Sequence, residues 1–148
     1  MLNSYTFFVT GKPAPQGSKK VHRYVKGRAI LGESSAAVDP WRKVVASCAR
    51  RLQPEQWHAK LPVSLTLTFV FARPKAHFRA NGELKGSAPQ HCVTRIGDLD
   101  KLCRAVCDAL TGIAYDDDSQ VFSINAERRY ANTSESPGAL ITITTIDV

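Results

Sequence analysis

The sequence predicts an α+β fold, with a small mixed or antiparallel β-sheet packed with two principal helices in one domain spanning residues 1–148. Two observations carry that expectation. Between Pro62 and Ala72, Val63, Leu65, Leu67 and Phe69 alternate with Ser and Thr, the period-2 pattern of a half-buried strand. Elsewhere, Trp41, Val44, Val45, Cys48, Ala49 and Leu52, and then Leu99, Leu102, Cys103, Val106, Cys107 and Leu110, recur at helical spacing. The length fits one core: a chain of 148 residues buries about two-thirds of the surface it would expose unfolded.

Tyr5–Thr10 reads as the first strand. Gly11 to Lys20, punctuated by Pro13, Pro15 and Gly17, reads as an irregular loop. Val21 to Leu31 suggests a hairpin turning at Lys26-Gly27. Asp39 followed by Pro40 is a helix start signal, with Asp39 as N-cap and Pro40 as the first helical residue. The strand at Pro62–Ala72 is expected at the centre of the sheet. Arg73 to Gly97 forms a long, basic, mobile loop, a length that in a compact domain is usually functional or disordered. The second helix follows and closes at Gly112. Ser119–Ala131 and Ala139–Ile146 supply the last strands, joined across Asn132 to Gly138. Trp41 and Trp57 are expected as core anchors.

No apolar run approaches the roughly 18 residues of a membrane span. The N-terminus lacks the basic start, long apolar stretch and cleavage site of a secretory signal. Cys48, Cys92, Cys103 and Cys107 contain no C-x-x-C pair, and Cys103 and Cys107 fall on the apolar side of their helix. They are expected as reduced, mostly buried thiols rather than zinc ligands. The expectation is a soluble cytoplasmic protein without small-molecule cofactor or membrane partner. A formal charge of +7 favours a polyanionic partner.

Against that basic background, six of the thirteen acidic residues fall between Asp98 and Asp118, and all six are Asp. Two like charges about 4 Å apart repel by roughly 4 kcal/mol at an effective dielectric near 20, so crowding them calls for a cation. Oxygen ligands without nearby His favour Mg²⁺, with Mn²⁺ able to substitute. Asp98 and Asp100 are two residues apart. They converge on one ion only if Asp98 stands at or before the helix N-cap and Asp100 lies in the first turn, which is where the apolar pattern beginning at Leu99 puts the boundary. A third carboxylate is available from Asp116-Asp117-Asp118. Taken singly, Asp98 also reads as an ordinary N-cap, Asp100 and Arg104 as a surface pair, Asp108 as structural and the Asp-rich turn as solvated.

The segment Asp98-Leu99-Asp100-Lys101-Leu102, Arg104, Asp108-Ala109-Leu110-Thr111-Gly112, Tyr115 and Asp117-Asp118-Ser119-Gln120-Val121 resembles the signature of the RusA family of Holliday junction resolvases. Gly11, Pro13, Pro15-Gln16-Gly17-Ser18-Lys19 is similar to the N-terminal loop of its phage and prophage members. The resemblance implies a homodimeric, Mg²⁺-dependent endonuclease that binds four-way DNA junctions and nicks two opposing strands symmetrically, in recombination and repair. The family's metal-binding aspartates fall on Asp98, Asp100 and Asp118, with Asp117 as the neighbouring alternative. Its functional Lys falls on Arg104 and its common Asn on Lys101, both departures from the best-known pattern. Arg keeps the charge but cannot donate a proton at neutral pH, which leaves charge stabilisation of the scissile phosphate.

On this reading Asp98, Asp100, Asp118 and Arg104 form the catalytic set. The DNA-binding set is Lys19, Lys20, Arg23, Lys26 and Arg28, with Arg73, Lys75, Arg79 and Lys85, and it implies steeply salt-dependent binding. Phe78 either wedges into an opened junction or packs its loop onto the core, and packing is favoured. Two symmetric cuts need two sites related by a two-fold axis, a motive for the dimer. Competing readings are a metal nuclease for flaps, forks or other branched DNA, a non-catalytic junction-binding protein, and a degenerate family member.

Overall fold

The structure, a computed structural model, describes residues 2–17, 19–33, 36–92 and 97–147, and for residues 2, 19–25 and 28–33 the backbone only. In chain order the elements are β1 (Leu2–Thr10), β2 (Lys19–Val25), β3 (Arg28–Glu33), α1 (Val38–Leu52), β4 (Val63–Phe71), α2 (Leu99–Leu110), β5 (Val121–Tyr130) and β6 (Gly138–Ile146). Four strands form one sheet in the order β1-β6-β4-β5, and β2 and β3 make a separate hairpin. The sheet is mixed: β6 runs antiparallel to both β1 and β4, while β4 and β5 are parallel. The last two strands are therefore not neighbours, and β4 lies between β6 and β5, near the centre as its pattern predicts.

Register explains the alternation. Tyr5, Ile143, Leu65 and Ile124 form one row across the sheet, and Phe7, Ile141, Leu67 and Ala126 form the next. These side chains share one face, because successive residues of a strand point to opposite faces, and all but the exposed Ile124 belong to or pack against the core with α1 and α2. The other face is polar near its middle, where Thr6 and Thr142 hydroxyls lie 2.9 Å apart. α1 buries Val38, Trp41, Val45 and Ala49, and α2 buries Leu102, Ala105, Val106, Ala109 and Leu110. Trp57 is half-buried against Tyr5, ring centroids 4.8 Å apart, so both tryptophans anchor the core as expected.

The Lys26-Gly27 turn is confirmed, with positive φ at both residues, 50° and 78°. That is the requirement of a two-residue turn matching the right-handed twist of its strands. Several expectations are corrected. α1 begins at Val38 with Ala37 as N-cap, so Asp39 stands inside the first turn and pairs with Arg42 instead of capping. Pro40 is tolerated because first-turn N–H groups have no intrahelical acceptor. Val44 and Leu52 are 43% and 47% exposed, so the buried stripe of α1 is narrower than its apolar composition. Lys19 and Lys20 belong to β2 rather than to the preceding loop. Asp118–Gln120 is a 3-10 turn, and the strand starts at Val121.

The described part of the long basic loop has local order. Lys75–His77 forms a 3-10 turn, Phe78 bridges Leu84, and the Lys85 N–H donates to the His77 carbonyl at 2.9 Å. Arg73 ties it to the sheet through Nε to the Ala131 carbonyl at 2.8 Å and Nη1 to the Pro89 carbonyl at 2.7 Å, over the Tyr130 ring. Phe78 is half-buried and lines a hollow with Leu84, Ala131 and Pro137, apart from the main core cluster. All four cysteines are free thiols. No helix among the described residues is long and apolar enough to cross a membrane.

At the start of β6 the backbone of β1 comes close. A Cβ on Gly138 would lie 2.1 Å from the Val9 carbonyl oxygen and 2.7 Å from the Phe8 ring. Gly138→Ala is therefore expected to part β1 from β6 locally and to cost about 1–3 kcal/mol, read as a lower urea midpoint. An unchanged midpoint would show that this approach does not constrain the sheet.

Candidate active site

Residues 99, 100, 103, 104 and 107 fall along one side of a helix, and in α2 they form one wall of a groove of about 750 Å³. The opposite wall is Val121, Ile124 and Ala126 of β5, and Asp118 stands where the chain enters that strand. Ile124 belongs to the core-facing row, yet it is 43% exposed because β5 is an edge strand and the helices do not cover it. Between Val121 and Ser123 the pairing with β4 shifts by one residue, which leaves Phe122 as a bulge, 55% exposed. Bulges occur preferentially at sheet edges and beside active sites.

Asp98 is the N-cap of α2, in extended conformation, and its side chain makes no capping hydrogen bond. Asp100 lies in the first turn. This is the boundary that convergence on one ion requires, and the missing cap bond argues against Asp98 as an ordinary N-cap. The groove brings Asp100, Arg104 and Asp118 together, while Asp98 is exposed at its mouth without lining it. Gly97, just before, is packed against Pro15: a Cβ there would meet the Pro15 ring at 3.0 Å. The Gly97 carbonyl accepts from Arg128 of β5, and the Gln16 N–H donates to the Lys101 carbonyl at 3.0 Å. The N-terminal loop thus buttresses the first turn of α2.

Asp117 and Asp118 have different tasks. The Asp117 carboxylate accepts from the Ser119 N–H at 2.8 Å and forms a capping box with Gln120. The Ser119 amide, its hydroxyl and neighbouring Asp118 hold the Asp117 carboxyl below the usual carboxylate range. Asp118 is the one of the two that reaches the groove, near Cys107 and Tyr115. Tyr115 is fully buried and donates its hydroxyl to the Cys107 carbonyl at 2.8 Å, which ties the start of this turn to α2. Burial pushes the Tyr115 hydroxyl well above its ordinary value. Asp108 lies 3.8 Å from Arg42, an interhelical pair in line with the structural role expected of it.

The two basic sets are placed unevenly. Lys26 is exposed at the hairpin tip, and Lys75, Arg79 and Lys85 are exposed on the long loop. Arg73 is half-buried and occupied in holding that loop. The side chains of Lys19, Lys20, Arg23 and Arg28, together with residue Arg95, lie outside the described residues. Phe122 and Gln120 carried no signal in hydrophobic periodicity, because a bulge and an amide clamp depend on contacts distant in sequence.

A family model described as "Endodeoxyribonuclease RusA" matches residues 10–144 of the 148. The chain belongs to the RusA endodeoxyribonuclease family. A comparison with curated proteins finds no match. The family match spans both the N-terminal loop and the Asp-rich segment, the two blocks that carry the sequence resemblance.

A divalent cation fits the chemistry of this donor set, which offers only carboxylate oxygens at the helix start and at Asp118. Among the described residues no three His, Cys, Asp or Glu side chains gather closely enough to cage an ion alone. Mg²⁺ does not require such a cage, since it keeps several waters and is commonly bound through one or two carboxylates plus substrate phosphates.

The groove also sets the reactivity of its thiols. Burial, then the Cys107 and Asp100 charges, push the half-buried Cys103 thiol up to about 11. Cys103 is expected to react with a disulfide reagent slowly at neutral pH, faster as pH rises toward that value, and at lower pH in Asp100→Asn. A profile centred near the ordinary thiol value, unmoved by Asp100→Asn, would place Cys103 away from this carboxylate.

Proposed function

We propose that this protein is a divalent-metal-dependent, structure-specific endodeoxyribonuclease that resolves four-way DNA junctions by paired symmetric nicks, as a homodimer. The observation that carries the reading is the assembly of Asp100, Arg104 and Asp118 in one groove of a chain from an endodeoxyribonuclease family.

Asp98, Asp100 and Asp118 would hold Mg²⁺, or Mn²⁺ in its place. When bound, the ion supplies Lewis-acid polarisation of the phosphate and a lowered pKa for water. Arg104, exposed on the same wall as Asp100 and one helical turn away, offsets negative charge accumulating on the phosphate oxygens. Its guanidinium remains protonated, so its contribution is electrostatic and the proton for the leaving oxygen comes from solvent. The groove walls at Leu99, Cys103, Val121 and Ile124 lower the local dielectric and strengthen that charge–charge interaction. Lys26, Lys75 and Arg79 supply phosphate contacts outside the groove, and Lys19, Lys20, Arg23 and Arg28 of the β2–β3 hairpin are proposed as further contacts from their charge in the sequence. Arg73 supports that surface by fixing the loop that carries Lys75 and Arg79.

Incubation with a labelled four-way junction, with and without Mg²⁺, beside linear duplex and a flap, tests the reading. Paired nicks in opposing arms that require Mg²⁺ support it, equal cutting of the flap shifts it to branched-DNA nuclease, and tight binding without cutting in Mg²⁺ or Mn²⁺ overturns the enzymatic claim.

Asp100→Asn and Asp118→Asn are expected to abolish cutting while junction affinity is kept or increases, because a negative charge near the phosphates is removed. Arg104→Ala is expected to lower the cleavage rate by about 10²- to 10³-fold, with Arg104→Lys retaining more of it. In filter binding across a salt series, replacing Lys26, Lys75 and Arg79 by Gln should each lower the slope of log K against log salt by about 1. An unchanged slope would remove those residues from the DNA surface.

A further inference from the structure

Besides the Tyr115 hydroxyl and a direct bond of 3.2 Å from the Asp116 N–H to the Ala59 carbonyl, one side chain outside the proposed catalytic set holds the turn that delivers Asp118. Gln120 Nε2 donates to the carbonyls of Ala59 at 2.8 Å and Leu61 at 3.0 Å. Its Oε1 accepts from the N–H groups of Asp116 and Asp117, both at 2.9 Å. The amide has two donors and two acceptor sites, and all four are used. Its backbone N–H also closes the turn onto the Asp117 carbonyl at 3.0 Å.

We infer that Gln120 is a positioning residue that clamps the Asp116–Asp118 turn to the connection between α1 and β4, and thereby aims the Asp118 carboxylate into the groove. Three consecutive aspartates offer three similar ligands, and the clamp makes them unequal. With the Asp116 and Asp117 amides pinned to one oxygen, Asp117 is left in position to cap Ser119 and Asp118 becomes the residue facing α2. The platform under the clamp is itself fixed, since Trp57 Nε1 donates to the Ala114 carbonyl and Gln53 Nε2 to the Ile113 carbonyl, each at 2.8 Å. An ion held by two separate chain segments requires the spacing between them to be set, and supporting hydrogen bonds to metal ligands affect affinity strongly. The inference rests on the proposed role of Asp118.

Mn²⁺ binding followed by electron paramagnetic resonance, without DNA, tests it independently of activity. Wild type, Asp118→Asn, Gln120→Leu and the double variant are compared, with folding checked by circular dichroism and Thr6→Val as a control that loses a hydrogen bond on the opposite face of the sheet. Gln120→Leu should weaken Mn²⁺ binding roughly tenfold to a hundredfold. The double variant should bind no more weakly than Asp118→Asn alone, because both changes act through one carboxylate. Gln120→Glu keeps the acceptor and loses both donors, so it should fall between wild type and Gln120→Leu and serves if the Leu variant misfolds. Unchanged binding in Gln120→Leu, losses that simply add in the double variant, or an equal loss in Thr6→Val overturns the positioning role and leaves Asp118 as a ligand. Equal binding by wild type and Asp118→Asn overturns the Asp118 assignment, and the Gln120 role with it.

Discussion

The parallel pairing of β4 with β5 is the constraint from which the rest of the site follows. Two adjacent parallel strands cannot be joined by a tight turn, so the chain leaving Phe71 must return along the sheet before it enters β5 at Val121. α2 makes that return. Its start is therefore fixed near the end of β5, where Arg128 reaches the Gly97 carbonyl. Its last turn is fixed near the beginning of β5, where Tyr115 is tied to Cys107. Asp98 and Asp100 enter at one end of this crossover and Asp118 leaves at the other. The groove is the space between a crossover helix and the uncovered edge of its own sheet.

That origin explains what was legible in the sequence. The helical period from Leu99, the alternation from Val63 and the Lys26-Gly27 turn depend on neighbours along the chain, and each element appears where its pattern places it. The position of Asp98 at the N-cap and Asp100 in the first turn was legible for the same reason. The α1 boundary was misread because Asp-Pro signals a helix start without fixing which residue begins the first turn, and Asp39 finds a partner in Arg42 instead. Strand order, the bulge at Phe122 and the division of labour between Asp117 and Asp118 arise from pairings across the sheet and from the carbonyls of Ala59 and Leu61. Hydrophobic periodicity holds no trace of those contacts, and the choice of Asp118 over Asp117 was legible only through the family motif around it.

The net positive charge overstates the surface available to a polyanion. Arg42 donates to the Gln16 side chain at 2.9 Å and lies close to Asp39 and Asp108, joining the N-terminal loop and both helices. Arg129 holds Glu135 through two bonds of 2.5 and 2.7 Å. Arg128 and Arg73 spend hydrogen-bond donors on backbone carbonyls. These guanidiniums suit such tasks because a planar fork with several donors satisfies more than one acceptor at once. Lys26, Lys75 and Lys85, exposed at a hairpin tip and on the long loop, are flexible point charges better matched to a mobile phosphate backbone. Arg42, Arg73, Arg128 and Arg129 thus spend their charge on the fold, while Lys26, Lys75, Lys85 and Arg79 are exposed at the surface.

The two ends of the groove are electrostatically different. Asp100 stands in the first turn of α2, where the helix dipole contributes partial positive charge and favours a carboxylate. Asp118 stands nearer the other end, beside Cys107 and one turn from the helix terminus, where the dipole is negative and Asp108 adds a further anion. In the proposed site Asp100 and Asp118 would serve one cation from the two walls of the groove, and Arg104, on the α2 wall, is the positive charge beside them. The helix thus gives the groove a polarity along its length.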